Sequence, residues 1–448
     1  MTLVGSTKGK KGPAIARARS IVAICAAAFA VLSASAPSTA LAPRVVDWRQ
    51  FHGHQNHRGF NRFEQRVGEN NVFNLSLSWI GNGATFGPDL VFKSSPVVVD
   101  GFVYFGTDQG QLLAFLDDCP SSECFPAWEV DLPEAIYNTP AVAGGVLYVG
   151  TASPLGKLYA FDVGACAQGS CAPLWTANVG VGESSPTIAN GVVYVGSQFN
   201  GVYAFAASGC GQATCDPLWI GETGGYVINS PAVAGGVMYV GSEDDKLYAF
   251  DAAGCGAATC SPLWTGPVSG PIYASSPAVA NGRVYVASFQ AFPNSFLYAF
   301  DAAGCGQLVC DPLWRGTGGH YLNSSPAVAY GSVYIGSGDG TLRVYPAAGC
   351  GRPTCPPSWT GQPAGSSATI ESAPMVANGV VYVGENNDRI YAFAARGCGS
   401  QLCDKIWEFI TQDPLVNSSP AMVNGTLYVS GTNFGAVPEL YVFELVGH

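Results

Sequence analysis

Fourteen of the fifteen cysteines stand in Cys-x-x-x-x-Cys pairs: Cys119 with Cys124, Cys166 with Cys171, Cys210 with Cys215, Cys255 with Cys260, Cys305 with Cys310, Cys350 with Cys355, and Cys398 with Cys403. Thiols at this spacing can form a disulfide, half of a four-thiolate zinc site, or a redox couple. Zinc would need two further ligands at every pair, and no histidine recurs beside them. Redox catalysis has no use for seven copies. Disulfides are therefore expected, each worth roughly 2 kcal/mol by chain entropy. His52, His54 and His57 form a His-x-His-x-x-His cluster that would suit a transition metal. The intervening Gly53, Gln55 and Asn56 read as a loop preceding the folded body. His320 stands alone and reads as a surface or rim residue. Acidic turns at Glu243-Asp244-Asp245, Gly338-Asp339-Gly340 and Asn386-Asn387-Asp388 offer oxygens but lack the spacing of a dedicated calcium loop. Asp, Asn and Gly are expected in such turns anyway. No Ser/His/Asp order, phosphate loop or nucleophile elbow is visible.

These residues hang on one unit written eight times. Its landmark is a proline after a small residue, at Pro96, Pro140, Pro186, Pro231, Pro277, Pro326, Pro374 and Pro420, spaced 44 to 49 residues apart. That period is the length of a four-stranded propeller blade. Proline opens a short strand of small residues, a position that owes no ladder hydrogen bond. Pairs such as Asn190-Gly191 and Asn281-Gly282 then accept the positive φ of a tight hairpin; the sixth copy departs with Tyr330-Gly331. A Val/Tyr-rich strand and a Leu-Tyr-Ala-Phe strand follow, and the fourth carries Trp.

Seven of these fourth strands follow their own repeats, with Trp128, Trp175, Trp219, Trp264, Trp314, Trp359 and Trp407, while the last copy ends at Leu440–Glu444. The missing strand is written before the first repeat, at Leu75–Trp79. The expected fold is thus all-β: an eight-bladed β-propeller of four-stranded antiparallel blades, closed by the N-terminal strand completing the last blade. Its boundaries read as a signal peptide over 1–42, a lead-in segment over 43–74 and the propeller over 75–448.

The first 42 residues carry five bases, Lys8, Lys10, Lys11, Arg17 and Arg19, and no acid, ahead of an apolar run from Ile21 to Leu32 that contains Cys25. This reads as a secretion signal, and hence as a secreted or otherwise extracytoplasmic protein. The rest has 15 bases against 31 acids, a charge of −16. Such a body repels phosphate backbones, so nucleic acid is not an expected partner. No later segment is a candidate membrane span.

Leu-Tyr-Ala-Phe-Asp-Ala-Ala-Gly followed by Leu-Trp resembles the tryptophan-docking repeat of the PQQ-like, or quinoprotein alcohol dehydrogenase-like, propellers. Ala249, Asp251, Gly254 and Trp264 would take the roles of its Ala-x-Asp-x-x-Thr-Gly…Trp pattern in the fourth blade, and Ala299, Asp301, Gly304 and Trp314 in the fifth. Asp47-Trp-Arg-Gln-Phe-His-Gly-His, with Gly59 and Asn61, also looks like the start of such proteins. The resemblance implies a propeller and raises PQQ and Ca²⁺ as cofactors. The dehydrogenases' adjacent-cysteine disulfide is missing, as is a Cys-x-x-Cys-His haem motif. No cofactor is therefore expected, and the family's non-enzymatic branch fits better.

Ligands of propellers meet the loops at one end of the channel. The residue three before each proline would ring that mouth: Lys93, Tyr137, Glu183, Ile228, Ala274, Asn323, Glu371 and Asn417. Glu183 and Glu371 fall on opposite sides of the ring, too far apart to act as an acid/base pair. Enlarged turns at Phe289–Phe296, Ser153–Leu155 and Asn433–Pro438 offer further contact surface. The expected function is a non-catalytic platform for a protein or polymer outside the cytoplasm. The alternatives are a PQQ-dependent dehydrogenase of alcohols or sugars, and a small-molecule sensor using the channel mouth.

Overall fold

The computed structural model describes residues 47–82, 94–153, 155–290, 295–362, 368–386, 388–411, 418–432 and 438–446. They build eight sheets, each a four-stranded antiparallel meander ordered outward from the axis. Blade 4 is typical: Ala232–Ala234, Val237–Ser242, Lys246–Asp251 and Trp264–Pro267. The strands are apolar on both faces because each sheet is covered by a neighbour on either side. The hairpin signals act as their residue types predict: Asp100, Asn190, Asn281, Asn378 and Asn424 all hold positive φ between 41° and 53°. Blade 8 is composite. Its strands Ala421–Val423, Thr426–Thr432 and Pro438–Leu445 are completed by Leu75–Asn82, with Trp79 opposite Val442.

Three devices tie neighbouring blades together, and all three act together from blade 2 to blade 7. In blades 2 to 6 the second-strand tyrosines Tyr148, Tyr194, Tyr239, Tyr285 and Tyr334 donate their hydroxyls to Ala207, Ala252, Ala302, Ala347 and Ala395 of the following blade, at 2.7–2.9 Å. The outer-strand tryptophan of each of these blades lies beneath a glycine of the following one. Gly254 therefore receives Trp219 of blade 3, while Trp264 docks on Gly304 of blade 5. The docking pattern is satisfied between blades, not within one.

The third device is the cysteine loop. The expected pairing is met at every loop. Cys119 is disulfide-bonded to Cys124, Cys166 to Cys171, Cys210 to Cys215 and Cys255 to Cys260. Cys305 is bonded to Cys310, Cys350 to Cys355 and Cys398 to Cys403. The loops of blades 1, 4, 6 and 7 add a short parallel strand to the outer edge of the preceding blade, as in Ile220–Thr259 and Gly221–Cys260. Those of blades 3 and 5 make single bridges, Thr176–Thr214 and Thr265–Val309. The blade 2 loop instead coils into a helix, Val163–Ala167, whose Ala165 N–H is capped by Asp162 at 2.9 Å. The cross-link thus holds a strand whose hydrogen bonds go to another blade.

Gly254 and Gly256 both hold positive φ, but a Cβ at Gly254 would lie 2.5 Å from Trp219 Cδ1, whereas at Gly256 it meets nothing within 4 Å. Gly256→Ala should cost about 1 kcal/mol from backbone strain alone. Gly254→Ala should cost roughly 2 kcal/mol more from the steric clash. Denaturant midpoints of the two variants measure the difference, and equal midpoints would remove Trp219 from the blade interface.

Candidate functional site

The two residues before each landmark proline build the channel wall. The first of them, Ser or Asn, binds the backbone twelve residues on, inside its own blade. Asn229 both accepts from and donates to Gly241 at 3.0 Å, and Ser184 accepts from Gly196 at 2.8 Å. The residue after it reaches sideways to the next blade. The N–H of Ser95 donates to the Thr139 hydroxyl, Thr139 to Ser185, Ser185 to Ser230, Ser230 to Ser276 and Ser276 to Ser325, all at 2.9–3.1 Å. The circuit resumes from Ala373 to Ser419 and from Ser419 to Ser95. Blade 7 carries Ala373 in this position, so Ser325 meets no hydroxyl there. Seven hydroxyls therefore ring the axis, each accepting one bond and keeping its own proton to donate.

Above this ring stand Tyr137, Glu183, Ile228, Ala274, Asn323 and Glu371, which the structure brings around one axial cavity of about 80 Å³. Lys93 and Asn417, expected in the same circle, lie outside the described residues. The cavity floor is Phe51. The segment read as a loop ahead of the ring in fact runs through its centre and visits the blades in order. Trp48 exchanges backbone bonds with Val98 of blade 1 at 2.8 and 3.0 Å. The carbonyl of Arg49 accepts from Val142 of blade 2, and the Gln50 side chain from Ile188 of blade 3. The carbonyls of Gln55, Asn56, Arg58 and Gly59 accept from Val233, Val279, Val328 and Val376 of blades 4 to 7. Asn61 closes the tour by donating to Met422 of blade 8 at 2.8 Å. Every contacted residue is the centre of a three-residue inner strand, whose axial edge would otherwise be unpaired. The odd Tyr330 turn serves this plug. Its ring packs edge-on against Phe60 at 5.1 Å, and its hydroxyl accepts from Gly379 at 3.0 Å.

The histidine cluster is divided by the same packing. His54 is exposed, while His52 and His57 are buried. His52 Nδ1 donates to the His57 carbonyl at 3.1 Å, and His57 Nε2 lies 3.0 Å from Thr187 Oγ1. Phe51 stacks on His52 at 4.6 Å. Burial lowers His52 to about 4, and burial assisted by the neighbouring His52 lowers His57 to about 3. Among the described residues, no three His, Cys, Asp or Glu side chains converge on a metal position. In two of the acidic turns one carboxylate is spent on protein donors: Asp244 takes Lys246 and Tyr248 at 2.8 and 2.6 Å, and Asp339 takes Thr341 and Arg343. Asn387 lies outside the described residues.

Beside the mouth an aromatic shelf crosses blades 5 and 6. Phe289, at the start of the enlarged turn, lies 5.9 Å from Tyr273 and 5.4 Å from Tyr321. Tyr321 is exposed and holds a positive φ of 41°, which strains a residue with a side chain. Tyr226, 50 % exposed, lies on the same side, its carbonyl accepting from Glu243 at 3.0 Å. Burial and the nearby Glu183 raise the Glu243 carboxyl above its ordinary range. Sequence reasoning missed the hydroxyl ring, whose signal was the recurrent Ser-Ser-Pro and Asn-Thr-Pro triplets. It also missed Tyr226, Tyr273 and Tyr321.

Residues 161–396 match a family model described as outer membrane protein assembly factor BamB. A search of curated protein sequences gives no match. Among solved structures, the chain is similar to BamB from Moraxella catarrhalis, with 17% identity, a TM-score of 0.58, and 82% of this chain and 99% of that one covered. It is also similar to the quinohemoprotein alcohol dehydrogenase from Comamonas testosteroni, with 16% identity, a TM-score of 0.63, and coverage of 90% and 81%. A europium-containing methanol dehydrogenase aligns with 12% identity, a TM-score of 0.63, and coverage of 89% and 98%. Identities this low report the fold alone.

The buried histidines set an acid limit. Unfolded, they take protons near pH 6.5; folded, not until about 4 and 3. The unfolded chain binds more protons in between, so stability present above pH 6.5 falls as pH drops through that window. Unfolding midpoints from pH 7 to 4.5 should decline, and His57→Gln should flatten the decline. An unchanged slope would contradict burial of the neutral ring. Ser276→Ala should cost about 1 kcal/mol by removing the acceptor of the Ser230 N–H, again read from unfolding midpoints.

Proposed function

Because the chain belongs to the PQQ-like β-propeller repeat family, we propose that it is a non-catalytic binding ring that works outside the cytoplasm and holds an extended segment of a partner protein across its mouth. The observation that carries this reading is the aromatic shelf of Tyr273, Phe289 and Tyr321 beside an acidic mouth. Rigid, half-exposed rings make strong anchors because they bury large area at little entropic cost. Glu243 and Glu371 favour basic side chains in the segment that lies there. The strained Tyr321 backbone is a cost the fold tolerates at a surface position, as at many ligand sites. The family model's description and the likeness to BamB support a protein as the partner. The basic–apolar N-terminus and the seven disulfides support a site outside the cytoplasm. No helix among the described residues is long and apolar enough to cross a membrane.

Quinone chemistry is the rival reading, carried by the dehydrogenases among the structural relatives. A fused three-ring quinone bearing carboxylates needs room and cations. The axial cavity is narrow, about 80 Å³. Its described lining presents Glu183 and Glu371 with no Lys or Arg. The described residues do not fit that group.

A photo-crosslinking residue placed at Tyr321 or Tyr226, with the protein expressed in its own host, should capture one discrete extracytoplasmic protein. The same residue at Leu174 on the outer rim should not. Phe289→Ala should lower the yield at Tyr226 by about tenfold. No adduct at either mouth position, or dye reduction by alcohols or sugars once quinone and Ca²⁺ are added, would contradict the reading.

A further inference from the structure

Five of the fifteen bases beyond residue 42 lie in the lead-in, at Arg44, Arg49, Arg58, Arg62 and Arg66. Arg49 pairs with Asp47, and Arg66 donates to the Asn424 carbonyl at 3.0 Å. Arg58 and Arg62 enter no ion pair among the described residues, and neither does Arg283. These three do not line the mouth cavity. Arg283 follows the Asn281-Gly282 hairpin, at the end of blade 5 remote from the mouth. The carbonyls of Asn56 and Arg58 are fixed to Val279 of blade 5 and Val328 of blade 6, which anchors the lead-in beside it. The Nε atoms of Arg58 and Arg283 are buried and meet no acceptor. Aromatic rings steady two of the guanidinium groups from one face: Arg58 lies 5.6 Å from Phe60 and Arg62 4.5 Å from Phe63. A group stacked on a ring keeps its edge donors for another partner.

The cations are also close enough to repel. Although His54 keeps an exposed edge, partial burial lowers its pKa, with Arg62 and then Arg58 adding to it, and burial followed by Arg62 lowers that of Arg58. Like charges gathered without a counter-charge are unfavourable, most of all where donors are cut off from water. In a body carrying −16, their concentration at the axis calls for a ligand of opposite sign.

We propose that His54, Arg58, Arg62 and Arg283 form an anion site on the side of the plug away from the mouth, and that its ligand is a phosphate group. A carboxylate satisfies a single guanidinium fork. Donors arriving from two chain segments, the lead-in and blade 5, suit a tetrahedral anion with oxygens in several directions. Inorganic phosphate and a lipid headgroup share this chemistry, and the experiment separates them.

Calorimetry on the full chain at low ionic strength would use inorganic phosphate, and then vesicles of phosphatidylglycerol or of phosphatidylcholine alone. Saturable binding of phosphate, or of phosphatidylglycerol vesicles only, supports the site and assigns the group to a soluble or a lipid source respectively. In either case the Arg58→Gln/Arg62→Gln double variant should weaken binding by about tenfold or more. Arg62→Gln alone changes only an exposed side chain and should weaken it several-fold. Arg352→Gln, an equal charge change on a distant exposed loop, should leave it unaltered. Absence of saturable binding in every arm, or equal weakening by Arg352→Gln, overturns the proposal. So does undiminished binding in an Arg62→Gln protein of native thermal stability.

Discussion

A propeller's difficulty lies at its axis. Each blade ends inward in a strand of three residues whose axial edge has no further strand to pair with. Eight such edges face one another across a channel too wide for them to meet. Here they are met at two heights. Hydroxyls placed just before the prolines take one backbone N–H from each neighbouring blade, save at Ala373. About three residues further along the strands, or roughly 10 Å, the lead-in supplies an acceptor or donor to every blade in turn. The plug is therefore the shared inner strand of eight sheets, and it decides what the channel offers to a ligand: a shallow cup floored by Phe51, not a tunnel.

Outward from the axis the same economy recurs. Tyrosine hydroxyls, tryptophan rings and cysteine loops all spend their interactions on the adjacent blade. Blades 2 to 7, so joined, cannot slide past one another without breaking three kinds of contact together, which makes this arc of the ring a rigid support. Two chemically different faces follow. Among the described residues the mouth presents Glu183, Glu371 and aromatic rings, whereas the arginines on the plug's far side enter no ion pair.

The repeat and its closure were legible because they are local and periodic: a proline every mid-forties residues, and a Trp79 strand displaced from the last repeat to the first. The disulfides were legible for the same reason, since Cys210 and Cys215, or Cys305 and Cys310, sit five residues apart in every copy. Tyr137, Glu183, Asn323 and Glu371 could be placed in one circle because a fixed offset from the prolines fixes height along the axis. The hydroxyl ring was written as plainly, in Ser185, Ser230 and Ser276. Its meaning was hidden because its partners lie a whole repeat away. The path of residues 48–61 has no period at all. Its contacts are mostly made by backbone carbonyls, which every residue owns, so nothing in His52 or Gln55 announces them. Parallel pairing of a cysteine loop with the preceding blade was likewise invisible, because a two-residue strand such as Thr259–Cys260 carries no alternation to read.

Native-state amide hydrogen exchange on the full chain tests the central claim most directly. If the lead-in completes the inner edges, the amides of Val233, Val279, Val328 and Val376 will be protected as strongly as those in the middle of the second and third strands. Exchange of these four amides at the rate of an exposed sheet edge, while the second and third strands stay protected, would show that the plug does not hold the axis together.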